Sequence, residues 1–215
     1  EDSLRRLKLD CIPLYQIHWP NGKTEISKTL ETLMRCQEEG KIRYIGISNE
    51  TAWGAMKLIE IAKEKKFSRI VSVQNPYNLL NRTYEVGLAE VSIREQCGLL
   101  AYSPLGFGVL SGKYLNNQWP ENARLTLFKE FTRYLNPVAI KCTESYIKLA
   151  EENGFKPSQM ALSYVNSRPF LTSNIVGATN LKQLKENIDS VDIKLNEKII
   201  EKIEEIHKIN PNPAP

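Results

Sequence analysis

The chain has 215 residues, of which 41% are hydrophobic and 25% charged, a balance expected of a soluble folded domain with a real core. Its net charge of +4 is mild, and its Lys and Arg are spread along predicted helices, so neither a nucleic-acid nor a membrane partner is expected. No apolar run approaches a membrane span, and no signal-peptide pattern opens the chain. Cys11, Cys36, Cys97 and Cys142 form no C-x-x-C pair and none stands beside a histidine. The expectation is therefore reduced thiols in a cytoplasmic protein, with no zinc site, no disulfide framework and no metal.

In chain order, the sequence opens at Glu1, without methionine, directly in a helical pattern over 2–8, and reads as a piece of a longer protein. Residues 11–17 (CIPLYQI) predict a strand whose first half Pro13 weakens. The strand runs into His18-Trp19-Pro20, an ionisable corner at the mouth of a sheet. Trp19 either lines a pocket beside His18 or packs on the loop of Asn21 and Gly22, while Tyr15 reads as packing. Residues 27–39 predict a helix with Ser27 as cap, Leu30, Leu33 and Met34 on one face, and Gly40 where a left-handed residue is wanted. A strand over 42–47 follows. Thr51 then caps a helix to about Lys65, with Trp53 near its start read as packing.

The third strand is expected at 69–73, followed by a helix over 83–96, and the fourth strand at 98–102. A long segment with Gly and Pro, 104–135, comes next. Helices are expected over 137–153, ending at Gly154, and over 157–167, capped near Ser158 and stopped by Pro169. A fifth strand at 173–176, a helix at 180–189 and a last helix at 196–208 complete the pattern. His207 reads as a surface residue there, and the proline-rich tail 211–215 cannot continue the helix.

Strands that recur just under every 30 residues, each joined by one helix, are the βα repeat of a parallel sheet. The fold class is α/β: a single domain, 1–215, with about five of the eight βα units of a (β/α)₈ TIM barrel. A complete five-stranded doubly wound sheet competes, but no G-x-G-x-x-G turn follows any strand.

The strand ends carry the chemistry. His18 follows the first, Ser48 and Asn49 the second, Gln74 and Asn75 the third, Tyr102 and Ser103 the fourth, and Gly177 to Thr179 the fifth. A parallel sheet brings all of these to one face, where barrel enzymes carry their sites. Ser, Asn and Gln suit a carboxamide, and Tyr102 offers a flat ring. Ser103-Pro104-Leu105-Gly106-Phe107-Gly108 supplies backbone N–H groups for a phosphate. Gly177 leaves room for another phosphate at the N-terminus of the helix beginning near Asn180. The ensemble suits a nicotinamide nucleotide.

The blocks LYQIHWP (14–20), GKIRYIGISNE (40–50), QNPYNLLNR (74–82), AYSPLGFGVLSGKY (101–114) and GATNLKQLKENI (177–188) resemble the aldo-keto reductase family. Within it they are similar to the Tas-like bacterial branch, kin to the potassium-channel β-subunits. The resemblance implies an NADP(H)-dependent oxidoreductase that reduces a small aldehyde or ketone. It implies that His18 is the histidine of the catalytic tetrad and that Ser48, Asn49 and Gln74 hold the nicotinamide carboxamide. Tyr102 would stack on the ring. Ser103, Leu105 and Gly106 would contact the pyrophosphate, with Ser111 and Lys113 as further contacts. Gly177, Thr179, Gln183 and Asn187 would line the adenosine end.

Gln183 stands where many members carry an arginine for the 2′-phosphate, so the choice of NADP over NAD is open, and Lys182 is a neighbouring charge. Trp119, in the long loop, either covers the cofactor or anchors the loop. The family's aspartate, tyrosine and lysine come from its first three βα units, and no tyrosine of this chain stands in the family's tyrosine motif. The chain alone is therefore expected to be inactive or nearly so, and poorly soluble or oligomeric. A non-catalytic nucleotide-binding subunit and the remnant of a disrupted reductase gene are the alternatives.

Overall fold

A computed structural model describes residues Glu1–Pro215. The first helix, α1 (Asp2–Leu7), ends at Lys8 in the left-handed conformation. β1 (Ile12–Ile17) contains Pro13 after all. β1 is the first strand in the sheet order, and at an edge a residue without an N–H forfeits no ladder bond. α2 (Ile26–Glu38) starts before Ser27, so Ser27 is not its cap; Glu25 holds that position with no side-chain bond. The preceding turn explains the shift. Asn21 accepts from Lys23 N at 3.0 Å and donates to Thr24 at 3.0 Å, and this delivers the chain to the helix early. Gly40 is left-handed as expected, with φ +71°.

β2 (Ile42–Ser48) leads to α3 (Ala52–Glu64), whose Thr51 cap accepts from Gly54 N at 3.0 Å. Trp53 is 72% exposed, which corrects the packing expectation: Ala55, Leu58 and Ala62 form the buried face and Trp53 points off it. β3 (Ile70–Pro76) is longer than predicted and takes in Gln74 and Asn75. The helix expected over 83–96 is broken into a 3₁₀ turn (Thr83–Val86) and α4 (Leu88–Arg94). Gly87 separates them; a Cβ there would stand 3.1 Å from the Ala52 Cβ, so the backbone passes close where a continuous helix is interrupted.

After β4 (Gly98–Tyr102), the long segment carries 3₁₀ turns at Gly106–Ser111, Leu115–Asn117 and Arg133–Leu135, and the short α5 (Arg124–Leu127). α6 (Pro137–Glu152) is capped by Asn136, which accepts from Ala139 N at 2.9 Å. α7 (Pro157–Asn166) opens with Pro157 in its first turn and Lys156 at the cap position, so Ser158 is not the cap. β5 (Leu171–Asn174) lies about two residues earlier than expected. α8 (Leu181–Asp189) and α9 (Glu197–Ile209) are capped by Asn180 and Asn196.

The five strands form one sheet in the order β1-β2-β3-β4-β5, with β1, β2 and β3 paired parallel. This is the α/β class with consecutive βα units, consistent with part of a (β/α)₈ barrel. The register sets Gln16 beside Gly46, Gly46 beside Ser72, and Ser48 beside Gln74.

The chain divides into two compact units. The first is Glu1–Asn75 with Gly87–Leu100, and Leu30, Ile45, Ile47, Ala55 and Val73 are fully buried within it. The second is Pro76–Val86 with Ala101–Pro215, and it buries Tyr77, Leu80, Tyr134, Met160 and Tyr164.

In the second unit Arg82, only 6% exposed, forks onto Glu85 at 2.9 and 2.7 Å and pairs with Glu204 at 2.9 Å. His207 lies near this cluster and is half-buried, with Nδ1 shielded and unpartnered, rather than a surface residue. Burial, with Arg82's charge adding, pushes its pKa down. The tail leaves the helix as its prolines require and is then pinned. Asn136 Nδ2 donates to Pro213 O at 2.8 Å, Arg82 N donates to Asn212 Oδ1 at 2.6 Å, and Ala214 N donates to Leu80 O at 3.1 Å, with Ala214 buried.

Candidate functional site

In the first unit, the carboxyl ends of β1, β2 and β3 bind to one another. Asn49, left-handed at φ +56°, a conformation Asn tolerates, donates its Nδ2 to the His18 carbonyl at 2.8 Å and to Ser48 Oγ at 3.2 Å. Ser48, 2% exposed, donates its hydroxyl to the Gln74 carbonyl at 2.7 Å, and Asn49 N donates to the same oxygen at 3.0 Å. Ser48 is therefore a brace between strand ends. Asn75 mimics a ladder: its Oδ1 accepts from Glu50 N at 3.2 Å and its Nδ2 donates to Glu50 O at 2.9 Å. Burial pushes the Glu50 carboxyl up, opposed by a hydrogen bond from Thr51 N–H.

The Gln74 side chain accepts from Gln16 Nε2 at 2.7 Å. The His18 side chain is exposed, with its ring 5.9 Å from that of Trp19. Trp19 is itself 57% exposed, and Tyr15 is 39% exposed rather than part of the core.

The second unit holds a cleft of about 930 Å³. One wall is Tyr102, Ser103, Leu105 and Phe107, continuing to Ser111 and Lys113. The loop is tightly wound. Ser103, Gly106, Phe107 and Gly108 all have positive φ, between 53° and 94°. Its shape is held from beneath: Asn78 Nδ2 donates to the Ser103 carbonyl at 2.9 Å and to Tyr134 Oη at 3.1 Å. Gly106 does not line the cleft. It is buried, and a Cβ on it would stand 3.3 Å from the Tyr134 ring. Its role is to let the loop turn against that ring.

The facing wall is Gly177, Thr179, Gln183 and Asn187. A Cβ at Gly177 would meet nothing within 4 Å, so the space there is open. Asn187 Nδ2 donates to the Gly177 carbonyl at 3.2 Å. Gln183 Oε1 accepts from Thr179 N and Oγ1, both at 3.0 Å, so its amide nitrogen is the end left to donate to a ligand. Lys182 does not line the cleft. Trp119 does not either; its indole N–H donates to Asn117 Oδ1 at 2.9 Å and its ring packs 5.9 Å from Tyr114, so it anchors the loop.

The charge balance of the cleft is positive. Lys113, Arg124 and Lys156 line it against one carboxylate, Glu186, which Lys156 occupies at 2.6 Å. Lys113 has no acidic partner, and its desolvation lowers its pKa. Arg124 is stacked over Phe107 at 4.8 Å and Phe131 at 5.2 Å and makes no ion pair. Two unpaired cations facing one cavity are a site for an anion. Arg124, Lys156 and Glu186 were not predicted. A lone arginine in a long loop carries no local signal, and only the fold-back of 112–135 brings it to the cleft. Elsewhere, no group of three or more His, Cys, Asp or Glu residues comes together to hold a metal ion.

The comparisons agree with this geometry. A family model described as the aldo/keto reductase family matches residues 1–208. The chain is 46% identical to protein tas of Escherichia coli (strain K12), covering all of this chain and 67% of that protein. It is 34% identical to an aldo-keto reductase of Babesia bovis, covering 87% of this chain and 76% of that one. It is 30% identical to aldo-keto reductase yakc [NADP(+)] of Schizosaccharomyces pombe, over 94% of this chain and 59% of that one. With the parallel sheet, the polar strand ends and the cationic cleft in place, the chain belongs to the aldo/keto reductase family of oxidoreductases.

Proposed function

We propose that the chain binds NADP(H) and serves hydride transfer between the nicotinamide and the carbonyl of a small aldehyde or ketone. The observation that carries this is the second unit's cleft: an open glycine, a tightly wound loop and two cations without carboxylate partners. That donor set fits a phosphate-bearing nucleotide. When bound, the cofactor would supply the hydride. The chain's own part is to bind and orient. Lys113 and Arg124 would neutralise phosphate, Ser103 and Leu105 would follow the pyrophosphate, and Gln183 and Asn187 would meet the adenosine end. By the family resemblance, Tyr102 of the second unit would present its ring to the nicotinamide, and in the first unit Gln74 and Asn49 would hold the carboxamide and His18 would face the carbonyl oxygen.

The preference for NADP over NAD rests on charge, since a 2′-phosphate adds two negative charges to a cleft that already carries a positive excess. The name of the yeast relative supports the same choice. All four cysteines are free thiols, which fits a cytoplasmic location, and no helix is long and apolar enough to cross a membrane.

Titration of the chain with NADPH, followed by quenching of its tryptophan fluorescence, tests the reading. Competition by 2′,5′-ADP should exceed competition by 5′-AMP, and failure to bind NADPH would refute it. Turnover is a separate readout. General acid catalysis contributes about 10²–10⁴-fold, and no tyrosine of the chain stands in the family's tyrosine motif, so we expect binding with little carbonyl reduction. The second reading is a nicotinamide-nucleotide-binding subunit without turnover. Brisk NADPH oxidation with a panel of aldehydes would exclude it.

A further inference from the structure

We propose that Gln16 is a positioning residue that sets which end of the Gln74 amide faces a ligand, and that Gly46 is glycine so that Gln16 can reach it. This rests on the reading that Gln74 meets the nicotinamide carboxamide. Gln16 lies on β1 and Gln74 on β3, with β2 between them. Neighbouring strands are about 4.8 Å apart, so a direct bond between side chains two strands apart requires one of them to cross the middle strand. The bond exists, at 2.7 Å.

The register shows how. Gln16, Gly46 and Ser72 stand abreast, and Gln74 is the next residue of β3 on the same face as Ser72. A Cβ on Gly46 would lie 3.0 Å from Gln16 Cγ, 3.1 Å from Gln16 Oε1 and 2.5 Å from Ser72 Oγ. The Gln16 side chain therefore lies in the space that any other residue at 46 would fill.

The bond has a chemical consequence. A glutamine amide has nearly the same shape in its two orientations, one presenting a carbonyl and the other an NH₂. Gln16 donates to Gln74 Oε1, which commits that oxygen and leaves the NH₂ as the end of the Gln74 amide that would meet a ligand. An NH₂ is the complement of a carboxamide oxygen. The Gln74 backbone is fixed as well, its carbonyl held by Ser48 Oγ and Asn49 N. Both the strand end and the side-chain polarity are thus set before a ligand arrives. The arrangement has a cost: Gln16 Oε1 and Ser72 Oγ are buried without partners on the same side of Gly46. A fold retains such orphaned atoms where they serve something else.

The test compares Gln16→Met, which removes the bond, with Gln16→Glu, whose carboxylate can only accept and so recruits the Gln74 NH₂ inward. Affinity is measured for NADPH and for 2′,5′-ADP, which lacks the nicotinamide. Q16M should weaken NADPH by about fivefold and Q16E by about tenfold or more, the range of one lost or opposed hydrogen bond, with 2′,5′-ADP unchanged in both. The thionicotinamide analogue, whose sulfur is a poorer acceptor, should bind more weakly than NADPH to the wild type, and that gap should close in Q16E.

Equal loss of both ligands would assign Gln16 a purely structural role, and an NADPH affinity in Q16E equal to that of the wild type would show that the Gln74 orientation does not matter; either overturns the proposal. Absence of NADPH binding by the wild type would instead sink the cofactor reading itself. Gly46→Ala should reproduce the Q16M pattern wherever it folds, and the two Gln16 variants decide the question if it does not.

Discussion

Asn78→Leu should be among the most destabilising single changes in the chain. Asn78 is fully buried in the second unit. Its Nδ2 serves the Ser103 carbonyl at 2.9 Å and Tyr134 Oη at 3.1 Å, and its Oδ1 accepts from Leu80 N at 2.8 Å and Asn81 N at 3.0 Å. Leucine is close in volume, so no large cavity opens and the effect is polar. It leaves two buried backbone N–H groups, one carbonyl and one phenol without this partner. Each net bond is worth about 1 kcal/mol, and an orphaned buried group costs about 1–3 kcal/mol.

Asn81 N keeps a bond to the Asn78 main-chain carbonyl at 3.0 Å, whereas Leu80 N, the Ser103 carbonyl and Tyr134 Oη lose the amide. A loss of about 3–5 kcal/mol follows, against a total stability of about 5–15 kcal/mol for a domain. Asn78→Asp keeps both accepting roles but buries a carboxylate with one oxygen against the Ser103 carbonyl, so it should cost at least as much at neutral pH. Urea unfolding followed by far-ultraviolet circular dichroism reads this as a fall in midpoint of about 1–2 M for N78L. A fall below about 0.3 M in N78L, or an N78D variant as stable as the wild type, would refute the argument that the turn and the loop hang on this one amide.

The other predictions follow the same physics. Thr51→Ala removes the cap of α3 and should lower stability by about 1 kcal/mol, visible in the same urea assay; no change would mean that water replaces the cap. Arg82→Met strands Glu85 and Glu204 and should cost about 3–5 kcal/mol at neutral pH. Burial pushes the Glu85 carboxyl up, but hydrogen bonds from Arg82 and Tyr77 and the Arg82 charge outweigh it, leaving its pKa below the ordinary value.

The wild type therefore holds that stabilisation above about pH 4.3 and loses it as pH falls through the depressed pKa. The difference between wild type and R82M should shrink over that acid range, and a constant difference would contradict the pairing. Lys113→Met and Arg124→Leu should each weaken NADPH on the order of tenfold and flatten its salt dependence. Calorimetric titration at two salt concentrations measures this, and an unchanged affinity in both variants would remove the cleft from the phosphate reading.

Much of the fold could be read locally because its signals are local. Gly40 stops a helix and Thr51 starts one. The misreadings came where a neighbour in sequence competed with a neighbour in space. Ser27 looked like a cap because it precedes an apolar stripe, but the Asn21 turn brings the chain into the helix earlier. Residues 83–96 kept a helical period through Gly87, but the helix breaks there, where the Gly87 backbone passes close to Ala52. The local shape at Gly106 likewise depends on a distant residue, since at φ +53° it packs beneath the loop on Tyr134.

What the sequence by itself determined is the order of strands and helices, the βα repeat and the polar character of the strand ends. Each of these follows from residue type and period along the chain. Only the tertiary structure decided which polar atoms are already committed and which remain to meet a ligand. Ser48 spends its hydroxyl on the Gln74 carbonyl, Gln183 spends its oxygen on Thr179, and Gln16 crosses above Gly46 to claim the oxygen of Gln74. Arg124 and Lys113 reach one cavity without a carboxylate partner. The physical reason is range. Periodicity and capping act over about four residues, whereas hydrogen-bond partners and charge balance depend on groups 25 or 58 residues apart that meet only when the chain folds.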